Sequence, residues 1–268
     1  MRTSLPLIVF AAAACCQAAS PPNTLTPDES RAGWVLLFDG KTMDHWVDPR
    51  KYNPPGDAWT IEDGCLKANA RPRFTEDLFS QDKYRDFELE FDWRISKAGN
   101  SGVKYRIQDH LWVPRVPGMK FEAQVEHAYQ NRLTQRPDHG QDYVVGFEYQ
   151  IADDSSNRDA LSNSKHSTGA LYDMVAPSAA ASKPIGEFNH SRIVLRGNHV
   201  EHWLNGVKVV DSTLDGAPEL HGIETRWSVA PDVIKLLSEQ PHKDCPFSLQ
   251  NHDSDAWFRN IKIRRLSD

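Results

Sequence analysis

Alternating apolar and polar positions recur along most of this chain and predict β-strands. The clearest case runs from Phe87 to Ile95, where every second residue is apolar and the residues between them are charged. A period of two places one face of a strand in a core and the other face outside it. The same alternation appears in 103–108 and in 146–152, so both segments are predicted to be strands.

Turn signals separate the predicted strands. Asp63-Gly64 and Asn205-Gly206 are dipeptides typical of two-residue hairpin turns, and each lies between strand-like segments. Many short strands joined by such turns predict an all-β fold, a β-sandwich or jelly roll.

Helical periodicity is confined to a few places. A segment that begins near Pro231 is predicted to be a helix, because proline is favoured in the first helical turn. The segment 109–145 is predicted to be an insertion, in which apolar residues from Phe121 to Leu133 recur every four positions and indicate a helix. This helix would act as a lid over a groove or would pack on the sandwich edge, and the sequence leaves both open.

The N-terminus has the pattern of an export signal. Arg2 precedes an apolar run, 5–14, that is too short to span a bilayer and is followed by small residues. Residues 1–19 are therefore predicted to be a signal peptide. If Cys15 or Cys16 is lipidated, the signal is of the lipoprotein type.

The predicted domain organisation follows from that signal. The polar, proline-rich residues 20–32 are predicted to be a linker, and 33–268 a single β-sandwich domain. We expect a bacterial protein that is exported, either to the periplasm or to the outer membrane through an N-terminal lipid. Cys65 and Cys245 are the cysteines left after signal removal, and their spacing does not decide between a disulfide and two free thiols.

Charge and aromatic content limit the classes of partner that this protein can bind. The formal net charge is -6 and no long basic run is present, which argues against nucleic acid. Eight Trp and seven Tyr would suit a sugar-stacking surface, and they would equally suit a large β core. A carbohydrate partner therefore has to be argued from the arrangement of polar groups.

Polar side chains occupy alternate positions of several predicted strands. If these strands share a sheet, basic, acidic, amide and imidazole groups converge on one face. Such a face suits a neutral polyhydroxylated ligand and supplies an acid and a base. The groups in question are Lys104, Arg106 and Gln108, then Glu148 and Gln150, then Gln250 and His252.

The sequence gives weak support for a cation. Asp153, Ser155, Asn157 and Asp159 lie at every second position, as oxygen ligands do in calcium loops. The central glycine and the distal glutamate of such a loop are missing, which favours an ordinary acidic loop. No residue is assigned as a metal ligand and no cofactor is required, although a divalent cation such as calcium stays open.

With these motifs in place, the chain resembles the 3-keto-disaccharide hydrolase domain family. The resemblance runs from about residue 33 to the end, and its departures include Asp253, Phe188 and the insertion 109–145. The main matching motifs, in the family's order, are Leu37-Phe38-Asp39-Gly40-Lys41, Asp86-Phe87-Glu88-Leu89, Asn100-Ser101-Gly102-Val103, Gly146-Phe147-Glu148-Tyr149-Gln150-Ile151, Thr168-Gly169-Ala170-Leu171-Tyr172, Leu249-Gln250-Asn251-His252 and Phe258-Arg259-Asn260-Ile261.

The resemblance implies a concanavalin A-like jelly-roll β-sandwich of two antiparallel sheets, which binds a keto-sugar glycoside on its concave sheet. A ketone at C3 acidifies the hydrogen at C2, so a base can remove it and the C1 substituent can leave. We expect Glu148 and His252 to be base and acid, in either order, and Arg106 to hold the enolate oxygen. The predicted catalytic residues are Glu148, His252 and Arg106, and the predicted substrate-binding residues are Lys104, Gln150, Tyr172, Gln250 and Asn100.

Two other functions are compatible with the sequence. One is a conventional glycoside hydrolase, which uses two carboxyl groups on an unoxidised bond. The other is a lectin-like module that binds sugar without cleaving it, since this fold also serves that purpose.

Overall fold

The computed structural model describes residues 21–47, 56–132, 140–239 and 243–267. The predicted signal peptide, with Cys15 and Cys16, lies outside these residues, and so does Leu133 of the predicted helical stripe. Within the described ranges, no helix combines the length and the apolar character needed to cross a membrane.

Two antiparallel sheets form the body of the protein and confirm the predicted all-β sandwich. The larger sheet has eight strands in the order β11-β10-β9-β6-β13-β4-β3, and β1 pairs with β13 beside this path. Its strands are β1 (Val35–Leu36), β3 (Trp59–Glu62), β4 (Cys65–Ala68), β6 (Phe87–Ile95), β9 (Asn189–Arg196), β10 (His199–Leu204), β11 (Val207–Thr213) and β13 (Ala256–Arg265).

The smaller sheet carries the polar positions singled out in the sequence. It has five strands in the order β2-β5-β12-β7-β8, and every described pairing is antiparallel. Its strands are β2 (Trp46–Val47), β5 (Leu78–Ser80), β7 (Asn100–Pro114), β8 (Gly140–Ala152) and β12 (Ser248–Leu249).

The core lies between the two sheets and is rich in aromatic rings. Phe91 of β6 meets Tyr149 of β8 edge to face, with ring centroids 5.9 Å apart. The Tyr149 hydroxyl and Ser191 Oγ are 2.8 Å apart, and the Trp93 indole donates to the same Oγ at 2.8 Å. Because these buried polar groups have partners, the core can hold them without a large desolvation penalty.

In the described parts of the chain, five α-helices and one short 3-10 helix, Ser164–His166, accompany the sandwich. The helix predicted at Pro231 is present, and the insertion contains the predicted helix. Strands β7 and β8 both continue into the segment predicted as an insertion, which is therefore an extended hairpin with a helix near its tip. The helices are α1 (Pro27–Arg31), α2 (Phe121–Gln130), α3 (Arg158–Ser162), α4 (Ala217–Arg226) and α5 (Pro231–Ser238).

The segment predicted as a linker makes specific contacts with the sandwich. Thr26 and Glu29 form a capping box at the start of α1. Asn23 is buried, and its side-chain nitrogen donates to the Gly64 carbonyl at 2.8 Å. It also exchanges two hydrogen bonds with Asn260 of β13. Residues 21–32 are thus held against the larger sheet.

The two described cysteines do not pair. Cys65 and Cys245 are both buried free thiols, and burial raises the pKa of each. The question that the sequence left open is therefore settled in favour of two unreactive thiols.

Candidate active site

A cavity of about 360 Å³ lies on the outer face of the five-stranded sheet. The sheet forms its floor, and its walls come from the start of α2, the end of α4 and the three loops that carry Thr75, Tyr172 and His252. The structure brings together seven of the eight predicted site residues here, the exception being Arg106. The residues that line the cavity from the predicted set are Asn100, Lys104, Glu148, Gln150, Tyr172, Gln250 and His252.

Strand register explains why these side chains meet. On β7 and β8, Lys104 lies directly opposite Glu148, and Gly102 lies opposite Gln150. On the other side of β7, Ser248 of β12 is the partner of Lys104. Because directly opposed residues share one face of a sheet, these polar groups form a row across the cavity floor.

The centre of this row is a lysine between two carboxyl groups. Lys104 Nζ is 3.9 Å from Asp77 Oδ2 and 3.9 Å from Glu148 Oε2. These separations are too long for hydrogen bonds, so both contacts are ion pairs. Ser248 Oγ donates to Asp77 Oδ2 at 3.0 Å and fixes that carboxyl group.

Burial sets the protonation of this group. It raises the pKa of the Glu148 carboxyl, against the opposing effect of Lys104 and Arg226. It raises the pKa of Asp77 in the same way, again opposed by Lys104. Burial alone would lower the pKa of Lys104, but Asp77 and Glu148 raise it overall, so the ammonium stays charged.

The Glu148 carboxyl is held by the neighbouring strand. A Cβ atom on Gly102 would lie 3.0 Å from Glu148 Cδ and closer still to Oε1, so only glycine leaves room for the carboxyl group. With the Gln150 amide oriented to satisfy both of its ends, its nitrogen donates to Glu148 Oε1 at 3.1 Å and to the Ser101 carbonyl at 3.3 Å. The space beside Gly102 and the Gln150 amide thus fix the orientation of the Glu148 carboxyl group.

Gln250 and His252 occupy the other side of the cavity. Gln250 Oε1 is buried and has no hydrogen-bond partner within the described parts of the chain. A buried acceptor left open in a cavity is suited to a ligand hydroxyl. His252 is exposed at the mouth, where a substrate group entering the cavity would pass it.

Arg226 brings a second cation that the sequence did not predict. It is the last residue of α4, and its guanidinium lies 4.8 Å from the Tyr172 ring centroid. Its Nη2 donates to the Tyr143 hydroxyl at 3.3 Å, and its Nε is 3.6 Å from Asp173 Oδ2. Burial acts to lower its pKa, but Tyr143, Tyr172 and the nearby acids raise it overall, so the group is a permanent cation.

A polar network behind the cavity wall positions Tyr172. Its hydroxyl donates to Asp159 Oδ2 at 2.9 Å, and its ring stacks on His166 at 4.5 Å. His166 bridges two carboxyl groups, with Nδ1 2.8 Å from Asp159 and Nε2 3.1 Å from Asp173. Since Asp173 also pairs with Arg226, one network supports both the ring and the cation.

The prediction that Arg106 faces the cavity was wrong. A β-bulge interrupts the β7–β8 register between Tyr105 and Asp109, and Arg106 has a φ of 51°. This left-handed backbone turns the side chain out of phase with Lys104. Its guanidinium instead donates to the Gly197 carbonyl and to Asn198 Oδ1 in the turn between β9 and β10.

The residues that suggested calcium are engaged within the protein. Asp153 accepts hydrogen bonds from the Ala98 and Ser155 backbone amides, and Asn157 caps α3 through its side-chain oxygen. Asp159 contacts Tyr172 and His166 as described above. These oxygens already have donors, which favours the acidic-loop interpretation.

A divalent cation does not fit between Asp77 and Glu148, because the Lys104 ammonium occupies that position. Over the described residues, one group of acidic and histidine side chains has ligand atoms close enough together to hold a metal, namely His199, Glu201 and Asp211. It is largely exposed on the larger sheet, and Lys208 forms ion pairs with both of its carboxylates. Among the described residues that line the cavity, Lys104 and Arg226 are the lysine and arginine side chains.

Comparisons with known proteins show the family to which this chain is similar. The model of the 3-keto-alpha-glucoside-1,2-lyase-like domain matches residues 33–264. A 3-keto-disaccharide hydrolase from Bacteroides thetaiotaomicron is 29% identical over 253 residues, which cover 87% of this chain and 79% of the relative.

Two solved structures are also similar to this chain over most of its length. A crystal structure of a candidate glycosyl hydrolase from Parabacteroides distasonis is 25% identical, with a TM-score of 0.68 over 92% of this chain and 100% of that one. A second from the same organism is 27% identical, with a TM-score of 0.59 over 87% and 99% of the two chains.

Proposed function

Because this chain belongs to the 3-keto-alpha-glucoside-1,2-lyase-like domain family, we propose that it cleaves the glycosidic bond of 3-keto-glycosides. One observation carries the proposal. Glu148, whose side chain is 13% exposed and whose carboxyl group has a raised pKa, lies at the floor of a polar cavity opposite the Lys104 ammonium. A base beside a fixed cation is what enolate chemistry requires.

Glu148 is the proposed base. In a 3-keto sugar the C2 hydrogen lies next to the ketone and is acidic. Its transfer to the Glu148 carboxylate leaves the electron pair on the ketone oxygen as an enolate. Because burial makes the ionised Glu148 more basic than an exposed glutamate, this transfer is less uphill.

Lys104 and Arg226 are the proposed partners of the enolate oxygen. Both are cations that line the same cavity as Glu148, and both are held by neighbouring carboxyl groups before substrate arrives. Preorganised charge of this kind lowers the energy of an oxyanion without reorganisation during the reaction. They replace Arg106 in the role predicted from the sequence.

His252 is the proposed acid. When the enolate collapses, the ketone re-forms, a C1–C2 double bond forms and the bond from C1 to the glycosidic oxygen breaks. The leaving oxygen takes a proton. His252 lines the cavity and is exposed, so we assign it the transfer of this proton. Water added across the double bond then gives the free 3-keto sugar.

A conventional glycoside hydrolase is the second candidate, since Asp77 and Glu148 are two carboxyl groups in one cavity. In that mechanism one of them would protonate the leaving oxygen of an unoxidised sugar. Turnover of a plain disaccharide at the rate of its 3-keto derivative would favour this candidate over the first.

The test uses a 3-keto-disaccharide, its unoxidised parent and deuterated water. We expect turnover of the keto sugar alone, with deuterium incorporated at C2 of the product. Glu148→Gln should lower kcat by about a thousandfold, the effect of removing a general base. Glu224→Gln, an exposed carboxyl on α4, is the matched control and should leave kcat unchanged. Product without label at C2 would exclude the elimination route.

A further inference from the structure

A second cavity adjoins the first and differs from it in charge. It has a volume of about 450 Å³ and lies between the extended β7–β8 hairpin, α2 and the segment before β5. Phe121 and Gln141 line both cavities. Thr75 lines the first cavity, and its neighbour Phe74 lines the second. The segments around Phe74, Phe121 and Gln141 therefore each border both cavities.

The charged groups are divided between the two cavities. The carboxyl groups lie around the first, where Asp77, Glu122 and Glu148 are examples. The charged side chains that line the second, among the residues that the structure describes, are Arg73 and Arg115. The first cavity also holds Lys104 and Arg226 beside these carboxyl groups, whereas the second holds only cationic charged groups among the described residues. In a ligand that spans both cavities, an anionic group at one end would therefore be favoured in the second.

The second cavity is built from fixed elements. The Gln124 side chain accepts from the Val116 amide at 3.1 Å and donates to the Met119 carbonyl at 2.7 Å, which holds the loop that follows Arg115. The Arg73 backbone amide donates to the Asp57 carboxylate at 3.0 Å. Both arginines thus have anchored backbones, while their exposed side chains form no ion pair with another described residue.

An aromatic ring completes the cavity. Phe74 packs edge to face on Trp112 at a centroid distance of 5.8 Å, and the Arg73 guanidinium lies 5.2 Å from the centroid of the Phe74 ring. A ring fixed in this way offers a surface for a planar or sugar-like group of the ligand.

We propose that the second cavity is the aglycone subsite and that it selects 3-keto-glycosides whose aglycone carries a carboxylate. This inference rests on the proposed function, which places the keto sugar at Glu148 and the departing group toward the cavity mouth. Arg73 and Arg115 are then specificity-determining residues, and the described residues 113–124 and 140–141 of the insertion supply most of the wall.

The test compares two 3-keto-glucosides that differ in one substituent, 4-carboxyphenyl and 4-carbamoylphenyl. Two exposed ion pairs of ordinary strength predict a preference of about fivefold in kcat/KM for the carboxylate. The preference should decrease between about 50 mM and about 500 mM NaCl, because salt screens exposed charges. In Arg73→Gln/Arg115→Gln the ratio should fall to about one, whereas Lys41→Gln, an exposed cation outside both cavities, should keep the native ratio. A native ratio of one, or a ratio that survives the double substitution, would overturn the proposal.

Binding of the unoxidised 4-carboxyphenyl and 4-carbamoylphenyl glucosides, measured by calorimetry, separates the two proposals. An arginine-dependent preference for the carboxylate without turnover of either keto sugar would support the subsite and contradict the proposed reaction. Turnover of both keto sugars with no charge preference would support the reaction and contradict the subsite. Neither turnover nor preference would contradict both.

Discussion

At the scale of single residues, the position of the Glu148 carboxyl group depends on a glycine. Gly102 lies on the neighbouring strand, and the carboxyl group packs where the Cβ atom of any other residue would be. The clash that a Cβ would cause is with the end of a flexible side chain and not with backbone. The strand can therefore accept a methyl group if Glu148 moves.

This gives a prediction for Gly102→Ala. The variant should fold with a Tm close to that of the native protein, because the Glu148 side chain can rotate away. Its kcat/KM for a 3-keto-glycoside should fall by at least about tenfold, since a displacement of about an ångström in a catalytic group has effects of this size. Thermal unfolding and steady-state kinetics measure the two quantities. Activity within twofold of the native value would show that the placement of Glu148 tolerates this change.

Residues of the site were predictable from the sequence where strand alternation is unbroken. Lys104 and Glu148 were found because each lies in phase on a regular strand, and their register made them neighbours. Arg106 was misplaced because alternation does not show a bulge, and its positive φ leaves no mark in the residue pattern. Asp77 was missed because it precedes a strand of three residues, too short to give a period.

At the scale of elements, two helices are coupled by one side chain. Glu126 of α2 accepts hydrogen bonds from the Asp232 and Val233 amides, at 3.1 Å and 3.2 Å, in the first turn of α5. It thus caps α5, whose own N-cap residue, Ala230, makes no side-chain hydrogen bond. The start of α2 lines both cavities, so this contact links the sandwich to the rim of the site.

We therefore expect Glu126→Ala to act on stability and on substrate binding together. Loss of a helix cap should lower the free energy of unfolding by about 1–2 kcal/mol. KM should rise more than kcat falls, because α2 borders the cavity without reaching its floor. Urea unfolding and initial rates provide the measurements, with His127→Ala, an exposed neighbour on the same helix, as the control. Equal losses in the two variants would argue against the capping role.

Helices were harder to predict than strands here. The helix at Pro231 was predicted because a proline lies in its first turn. The helix α4 was missed, since its sequence is mostly polar and only three of its residues, Glu219, Gly222 and Ile223, are buried. Arg226 was missed with it, because the end of an unpredicted helix cannot be placed on a cavity.

At the scale of the whole molecule, a buried histidine links the two sheets. His202 of β10 is fully buried, with Nε2 2.9 Å from the Tyr105 hydroxyl of β7 and Nδ1 3.0 Å from the Gly169 carbonyl. Burial lowers its pKa from 6.5 to about 4. The imidazole is therefore neutral in the folded protein at pH values where it is partly protonated in the unfolded chain.

The sign of the pH dependence follows. Since the folded pKa is the lower one, the unfolded chain binds more protons below pH 6.5, and stability decreases as the pH falls from 6.5 towards 4. Lowering the pH from about 7 to about 5 should therefore reduce the free energy of unfolding by about 2 kcal/mol through His202. His202→Gln should lose that part of the acid dependence, while the exposed His221→Gln should retain it. Identical pH profiles for native protein and His202→Gln in urea unfolding would contradict this assignment.

The place of β13 in the larger sheet has a consequence for biogenesis. This strand follows all the other described strands in the sequence, yet it pairs with β6 on one side and with β4 and β1 on the other. Until it has been synthesised, the β3–β4 hairpin and the β6–β9–β10–β11 block have no common sheet. Assembly of the larger sheet must therefore wait for β13, and until then a nascent chain keeps the apolar faces of its earlier strands available to chaperones.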